Sequence, residues 1–351
     1  MKLEQMIPAH IDKSSTSLLS NLGFVPPGSQ FSCFELQRME NLEQALGCGP
    51  LYIKRDDLTP LGLGGNKTRK LEFLLGDALA GGADTLVTVG GVQTNHGRLT
   101  AAAAAKAGLA CTLVLDGARP EKLSGNLLLD CLLGASLVYT DRRSTSAVIE
   151  ETLAALQAAG RAPYFIPEGG SNAVGSAGYL AMVPELLAQA DSLPVPPARL
   201  VCTMGSLGTF AGLWLGARAF GAPFSVTGVA VNPTTGYTRE KAAALVNEMS
   251  AAYGLDIAAA PEDMDIIYAD AAHDYAGPGY NVPDAKTRGA VELLARTEGI
   301  FLDPCYTAKS FRGFCDIARE LDGGAIFVHT GGTPALWTQE HLDAFAADYW
   351  N

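Results

Sequence analysis

The sequence predicts an α/β protein of two three-layer αβα lobes with mainly parallel sheets. Three observations carry that expectation. Short β-branched or apolar runs recur, separated by alanine- and leucine-rich stretches of helical character, as expected of parallel strands covered on both faces. The runs fall into two groups on either side of Leu193-Pro194-Val195-Pro196-Pro197, which cannot continue a helix and reads as a connector. With 351 residues, 48% of them hydrophobic and 18% charged, the chain has ample core for two lobes.

In chain order, the first strand group is Thr85–Val89, Thr112–Leu115, Leu137–Tyr139 and Tyr164–Ile166. The second is Leu200–Thr203, Val226–Val231 and Ile326–His329. Helices are expected at Leu99–Ala107, Ser146–Ala159, Gly178–Ala190 and Phe210–Phe220. No repeat of solenoid period is present, and the 39 glycines sit in short loops rather than in a low-complexity tract.

Composition narrows the partners. The net charge is −12 and Lys67–Lys70 is the main basic cluster, which argues against nucleic acid and for a small anion held inside an acidic protein. The seven cysteines (33, 48, 111, 131, 202, 305 and 315) form no CxxC pair and have no histidine at zinc spacing. Free thiols in a reducing compartment, and no metal, are expected. Met1–Leu19 lacks an apolar signal core and no run approaches membrane-span length, so a cytoplasmic protein without membrane partners is expected.

Gly64-Gly65-Asn66-Lys67-Thr68-Arg69-Lys70 places a lysine behind paired glycines, with two further cations in the next turn. Alone it reads first as a solvated basic turn at a helix start and only second as a nucleophilic amine beside an anion site. Two strand–loop–helix junctions favour the second reading. Thr85–Val89 leads through Gly90-Gly91-Val92-Gln93-Thr94-Asn95-His96 into a helix closed by Gly108. Leu200–Thr203 leads through Met204-Gly205-Ser206-Leu207-Gly208-Thr209 into the helix ending before Gly221. Each glycine-rich turn exposes backbone N–H groups at a helix N-terminus and adds hydroxyl donors, a ready anion site. Two anions facing one lysine fit a phosphorylated cofactor and a substrate carboxylate. Nucleotide motifs fit poorly: Asn66 replaces the glycine that precedes a Walker A lysine, and Gly205–Gly208 lacks GxGxxG.

The motifs Leu51–Asp57, Gly64–Glu72, Gln93–His96, Ile166–Asn172, Gly205–Gly212, Gly277–Tyr280, Leu302–Lys309 and His329–Gly332 resemble, in order, those of the fold-type II pyridoxal-phosphate enzymes. Within these, the chain is similar to the D-cysteine desulfhydrases and 1-aminocyclopropane-1-carboxylate (ACC) deaminases. The resemblance implies a tryptophan synthase β-like fold and a homodimer. It implies a larger cofactor-binding lobe of residues 1–66 and 180–351, a smaller lobe of residues 67–179, and an active site in the cleft. Lys67 is implied as the cofactor's covalent anchor and Asn95 as the partner of its phenolic oxygen. Gly205, Ser206, Leu207, Gly208 and Thr209 are implied as the phosphate cradle, with Lys70 as an added cation. Thr94, Asn95 and His96 stand where a substrate carboxylate is held, Tyr280 and Tyr306 where two active-site tyrosines stand, and Thr330 near the pyridine nitrogen. Lys67 and Thr94 are expected to serve opposite faces of Cα, and the tyrosines to protonate a leaving group.

ACC deaminases carry glutamate and leucine where this chain has Thr307 and Thr330, so the resemblance favours β-elimination, with D-cysteine giving pyruvate, ammonia and hydrogen sulfide, and places Thr307 at the substrate. L-cysteate, D-serine, β-chloroalanine and ACC stay open as alternatives, as do β-replacement and a non-catalytic cofactor-binding relative. Three departures from the family pattern point to a reshaped pocket: Thr94 for the usual serine, Gly97 for a bulkier residue, and Leu207 within the cradle's glycine run.

Overall fold

The computed structural model describes residues 36–141, 143–232 and 236–350. The expectations for Met1–Leu19 and Cys33 lie outside these residues. A four-stranded sheet has the order β5-β4-β3-β6, all parallel, with β3 Thr85–Gly91, β4 Ala110–Asp116, β5 Ser136–Thr140 and β6 Pro163–Ile166. A six-stranded sheet has the order β1-β2-β10-β7-β8-β9, with β1 Leu36–Arg38, β2 Leu51–Lys54, β7 Pro197–Met204, β8 Ser225–Ala230, β9 Ile266–Ile267 and β10 Gly324–Val328. Only its edge pair β1–β2 is antiparallel.

The larger sheet is covered on both faces because its central strands bury apolar side chains at successive positions, as Leu200-Val201-Cys202 and Ala325-Ile326-Phe327-Val328 do. Leu200, Cys202, Ile326 and Val328 turn into one core with Leu180 and Val183 of helix α6 (Ala173–Ala190) and Leu213 of α7 (Gly208–Ala219). Helix α8 (Arg239–Ala252) completes that layer with Leu245, Val246 and Met249. The alternate residues Val201, Ala325 and Phe327 face a second core. Its helices are α1 (Glu40–Leu46), α9 (Ala285–Glu298) and α10 (Thr307–Glu320), contributing Leu42, Leu294 and Phe314. Period-two strand geometry thus divides one hydrophobic run between two cores.

In the smaller sheet, Leu86, Leu113 and Leu115 pack with Leu71, Leu74 and Leu75 of α2 (Lys67–Ala80), the alanine run of α3 (Asn95–Ala107) and Leu127 of α4 (Gly125–Leu132). Helix α5 (Thr145–Ala158) packs along β4 and β6 without a fully buried residue. Phe73 of α2 meets Ala177 and Ala181 of α6. We keep the division at 66/67 and 179/180 as a proposal; its second cut falls inside α6, a helix that also lines the larger core. The chain ends with α11 (Gln339–Trp350). Among the described residues, no helix is long and apolar enough to cross a membrane.

Candidate active site

A cavity of about 490 Å³ lies where the loops after β3, β7 and β10 converge, the crevice outside the carboxyl ends of the strands. Lys67 enters it from the start of α2. The two glycines before it are required by crowding: Gly64 has φ +71°, and a Cβ there would lie 1.8 Å from the Asp57 carbonyl oxygen. Gly65 has φ +127°, with the Thr330 carbonyl oxygen 3.0 Å from where its Cβ would be. Asn66 N–H donates to that same Thr330 oxygen (3.0 Å), tying the lysine's loop to the end of β10.

Arg69, the first of the two cations that follow Lys67, is bound to carboxylates outside the cavity. Its guanidinium donates to Asp56 (2.9 Å twice) and to Glu185 (2.9 and 3.1 Å), while Tyr179 also donates to Asp56 (2.6 Å). The network anchors the first turn of α2 to α6. Lys67 Nζ donates to Asn66 Oδ1 (3.0 Å), and Asn66 Nδ2 donates to Thr209 Oγ1 (3.0 Å). Burial pushes the Lys67 amine down to about 8; Glu168 opposes the shift, Arg98 adds to it and Asp303 opposes it.

The loop from β7 into α7 is a cradle. Gly205, Ser206 and Thr209 line the cavity, whereas Leu207 and Gly208 stand behind it. A Cβ at Gly208 would lie 2.7–2.8 Å from Lys70 Nζ, Ser176 Oγ and Ser171 Oγ. Ser171 Oγ accepts from Gly208 N–H (3.1 Å) and donates to Ser206 Oγ (2.8 Å). Lys70, wholly buried, donates to the Gly169 carbonyl (2.9 Å) and Ser171 Oγ (3.2 Å). Among the described residues it has no carboxylate ion pair, and burial, then the Lys67 charge, holds its pKa well below 10.5. A buried cation without a counter-ion, under a helix N-terminus of small residues, fits a bound phosphate.

The loop from β3 into α3 is closed more tightly. Thr94 caps α3, its Oγ1 accepting from Gly97 N–H (3.2 Å). Asn95 Oδ1 accepts from Arg98 Nη2 (3.4 Å). The Thr88 hydroxyl donates to the Ile166 carbonyl (2.8 Å), so its contact with His96 Nε2 (2.8 Å) requires the proton on that nitrogen. Burial, with Lys67 and Lys70, holds His96 well below 6.5 and therefore neutral. Its only ring N–H is taken by Thr88. The ring is thus turned to Thr88, and the backbone N–H of His96 is the donor left for the expected carboxylate site.

Tyr280 and Tyr306 meet edge to face at 5.8 Å. Both line the cavity, and the Tyr280 ring lies against Gly91 at the end of β3. Loss of hydration around the hydroxyls raises both phenols well above 10, although Tyr280 as a whole is 36% exposed, and both hold their protons at neutral pH. The turn beneath Tyr306 is organised by Asp303, which accepts from the N–H groups of Cys305 (2.9 Å), Tyr306 (2.7 Å) and Thr307 (2.8 Å). The Thr307 hydroxyl also donates to Asp303 (2.6 Å). Thr307 is wholly buried and does not line the cavity, which corrects its expected place at the substrate: its hydroxyl is spent on the carboxylate that shapes the turn.

The cavity thus brings together Lys67, Thr94, Asn95, His96, Gly205, Ser206, Thr209, Tyr280, Tyr306 and Thr330. Lys70, Leu207 and Gly208 form its back wall. Sequence reasoning passed over Asn66, Ser171 and Asp303 as site residues. Asn66 and Ser171 lie inside quoted motifs; Asp303 precedes Tyr306 by three residues, the spacing of a side chain that caps a turn.

A reactive amine, an anion cradle backed by an unneutralised lysine and two protonated phenols suit a phosphorylated aldehyde cofactor. Comparison with known proteins agrees. The model of the pyridoxal-phosphate dependent enzyme family matches residues 33–331. A protein of Pyrococcus abyssi provisionally named a 1-aminocyclopropane-1-carboxylate deaminase is 39% identical over 86% of this chain and 90% of its own length. The D-cysteine desulfhydrase of Yersinia enterocolitica is 40% identical over 86% of this chain and 92% of its own. A crystal structure of an ACC deaminase homologue superposes with a TM-score of 0.80 at 34% identity, covering 96% of this chain and 99% of that one.

Proposed function

The chain belongs to the pyridoxal-phosphate-dependent enzymes, and on that premise we propose that it catalyses β-elimination on a small amino acid, D-cysteine plus water giving pyruvate, ammonia and hydrogen sulfide. Lys67, Asn95, Thr330 and the Gly205–Thr209 loop with Lys70 behind it are the residues that would hold the cofactor. Bound pyridoxal phosphate supplies the electron sink for negative charge at Cα. The observation that carries the reading is the pairing of Tyr280 and Tyr306 in the cavity that Lys67 enters. A departing thiolate needs a proton, and two phenols that stay protonated at neutral pH can deliver one.

The Lys67 amine, with its pKa near 8, moves the proton at Cα from one face. Thr94 stands on the other side of the reaction: Gly97 N–H occupies an acceptor site on its oxygen and leaves the hydroxyl proton for a substrate carboxylate. The first backbone N–H groups of α3, at Asn95 and His96, have no intrahelical partner and supply the rest of that carboxylate site. Thr307 bears on substrate choice through Asp303 and the Tyr306 turn rather than by contact.

Identity does not separate the two activities carried by relatives' names, at 39% and 40%. Thr330, a neutral residue in the cavity wall, supports elimination of a good leaving group over ring opening. Asp116 and Glu168 also line the cavity, which disfavours the anionic side chain of L-cysteate. The free state of all six described cysteines supports a reducing, cytoplasmic setting, and we read the assembly as a homodimer.

The test is a substrate panel with purified enzyme. Pyruvate from D-cysteine should be the fastest reaction, ahead of L-cysteine, D-serine and L-cysteate. Lys67→Ala should lose the cofactor's visible band and at least about a thousandfold in rate. Faster release of 2-oxobutyrate from ACC would overturn the choice of reaction. Bound cofactor without turnover of any panel member would instead mark a non-catalytic relative.

A further inference from the structure

Arg98 is the largest wholly buried side chain of the described residues. It sits on α3 one turn beyond Asn95. Its Nε donates to Asn126 Oδ1 (2.8 Å), and its Nη2 donates to the Gly64 carbonyl (3.1 Å) and to Asn95 Oδ1 (3.4 Å). Nη1 is buried without a hydrogen-bond partner. Asn126 is itself clamped: its N–H donates to Gln93 Oε1 (2.9 Å) and its Nδ2 to the Gln93 carbonyl (3.0 Å). That fixes Asn126 with its oxygen toward Arg98. Burying a guanidinium is unfavourable, and an apolar side chain of similar length would fill this space at less cost. The bonds it makes lead to the active site on both sides.

Gly64 lies three residues before Lys67, in the loop that delivers the amine. Asn95 lines the cavity. With its oxygen turned to Arg98, Asn95 directs its Nδ2 donor the other way, and a Cβ at Gly332 would lie 2.9 Å from that nitrogen. We infer that Arg98 is a positioning residue for the cofactor: it sets Asn95 with the amide donor toward the cofactor's ring oxygen, holds the Gly64 carbonyl of the Lys67 loop, and relays its charge through Asn95 to that oxygen. The inference rests on the pyridoxal-phosphate reading of Asn95. It also gives the site an electronic asymmetry, a neutral threonine at one end of the ring and a relayed cation at the other.

Other charged groups face the same region. Glu168 and Asp303 act on Lys67 in the direction opposite to Arg98, and Lys70 and neutral His96 lie beside it. Asp130, buried behind Arg98, is pushed up to about 7 by burial, with Arg98 opposing the shift. Asp130→Asn therefore serves as the background in which pH titrations are read.

The experiment measures pyridoxal-phosphate affinity and the apparent pKa of the bound cofactor's visible band in Arg98→Met, Arg98→Lys, Asn95→Ala and Asn95→Ala/Arg98→Met. A cation beside the chromophore disfavours its protonated form, so Arg98→Met should raise that pKa by about one unit and weaken affinity about tenfold. Arg98→Lys keeps the charge but not the fork, so it should hold the pKa near wild type and lose affinity. In the Asn95→Ala background, Arg98→Met should add little to the pKa shift and lose only the affinity that its bond to the Gly64 carbonyl supplies. A folded Arg98→Met protein with wild-type pKa and affinity overturns the inference. Should that variant not fold, Arg98→Lys decides, and wild-type affinity there overturns it equally. Wild-type behaviour of Asn95→Ala would instead sink the reading of Asn95 on which the inference stands.

Discussion

The two strand-to-helix loops that meet at the cavity share one backbone device and use it differently. In the loop between β3 and α3, the side chains are committed to one another: Thr94 to the helix cap, Asn95 to Arg98, and His96 to Thr88. In the loop between β7 and α7, small residues expose backbone, and the charge lies underneath in Lys70. The first holds side chains in fixed orientations and suits a ligand whose shape and hydrogen-bonding pattern must be read. The second presents positive potential with little side-chain detail and suits a phosphate. Fixed orientation and fixed charge are separate contributions, and different substitutions should remove them.

The largest expected effect tests the charge. Lys70→Met should cost about 10–100-fold in affinity for pyridoxal phosphate, the scale of one charged hydrogen bond, while affinity for unphosphorylated pyridoxal changes little. Burial already disfavours the charged lysine, so the cofactor-free variant should melt no lower than wild type. Equal losses for both ligands, measured by visible titration, would break the assignment of charge to the second loop.

The next effect lies between the loops. In cofactor-free protein Lys67 has a pKa near 8, lowered from 10.5, and only the neutral amine attacks an aldehyde. Its charged form is the disfavoured one, so the neutral fraction grows as pH rises. The rate of cofactor capture should climb about tenfold per pH unit from 6 toward 8 and level off above. Asp130, pushed up to about 7, titrates inside that window, so the profile is read in the Asp130→Asn background. A stopped-flow profile flat from pH 6 would show an amine less protonated than this environment allows.

Both loops were legible in the sequence because glycine after an apolar run, followed by an alanine- or leucine-rich stretch, has few other solutions. The strands of the smaller sheet and β7, β8 and β10 lie within a few residues of their expected bounds for the same reason. Strand β2 was quoted only as part of a motif. Its Lys54 looks polar in sequence, but in the fold it is wholly buried and donates to Glu185 and Gln189, 131 and 135 residues further along the chain. Arg69 misled in the same way, since nothing local announces Asp56 and Glu185. Thr307 was misplaced because one helical position decides whether a hydroxyl faces the cavity or Asp303. Long-range pairing of charged side chains is what residue spacing conceals.

The smallest effect tests the fixed orientation of the first loop. Thr94 and Gly97 both depart from the family pattern, and the structure makes them one feature: a Cβ at Gly97 would lie 2.5 Å from Thr94 Cγ2 and 3.3 Å from Leu113 Cδ1. The threonine methyl fills the space that a larger residue 97 would need. Thr94→Ser should cost about 1 kcal/mol through the lost methyl contact. Gly97→Ala should cost about 1–3 kcal/mol through overpacking, despite alanine's better helix propensity. Together they should recover about 1 kcal/mol relative to the sum, a coupling readable in denaturant melts of the cofactor-free protein. If the costs simply add, the two departures are independent and the loop has slack. If they couple, the pocket above Cα has been rebuilt around a threonine whose hydroxyl direction is set by the helix it caps.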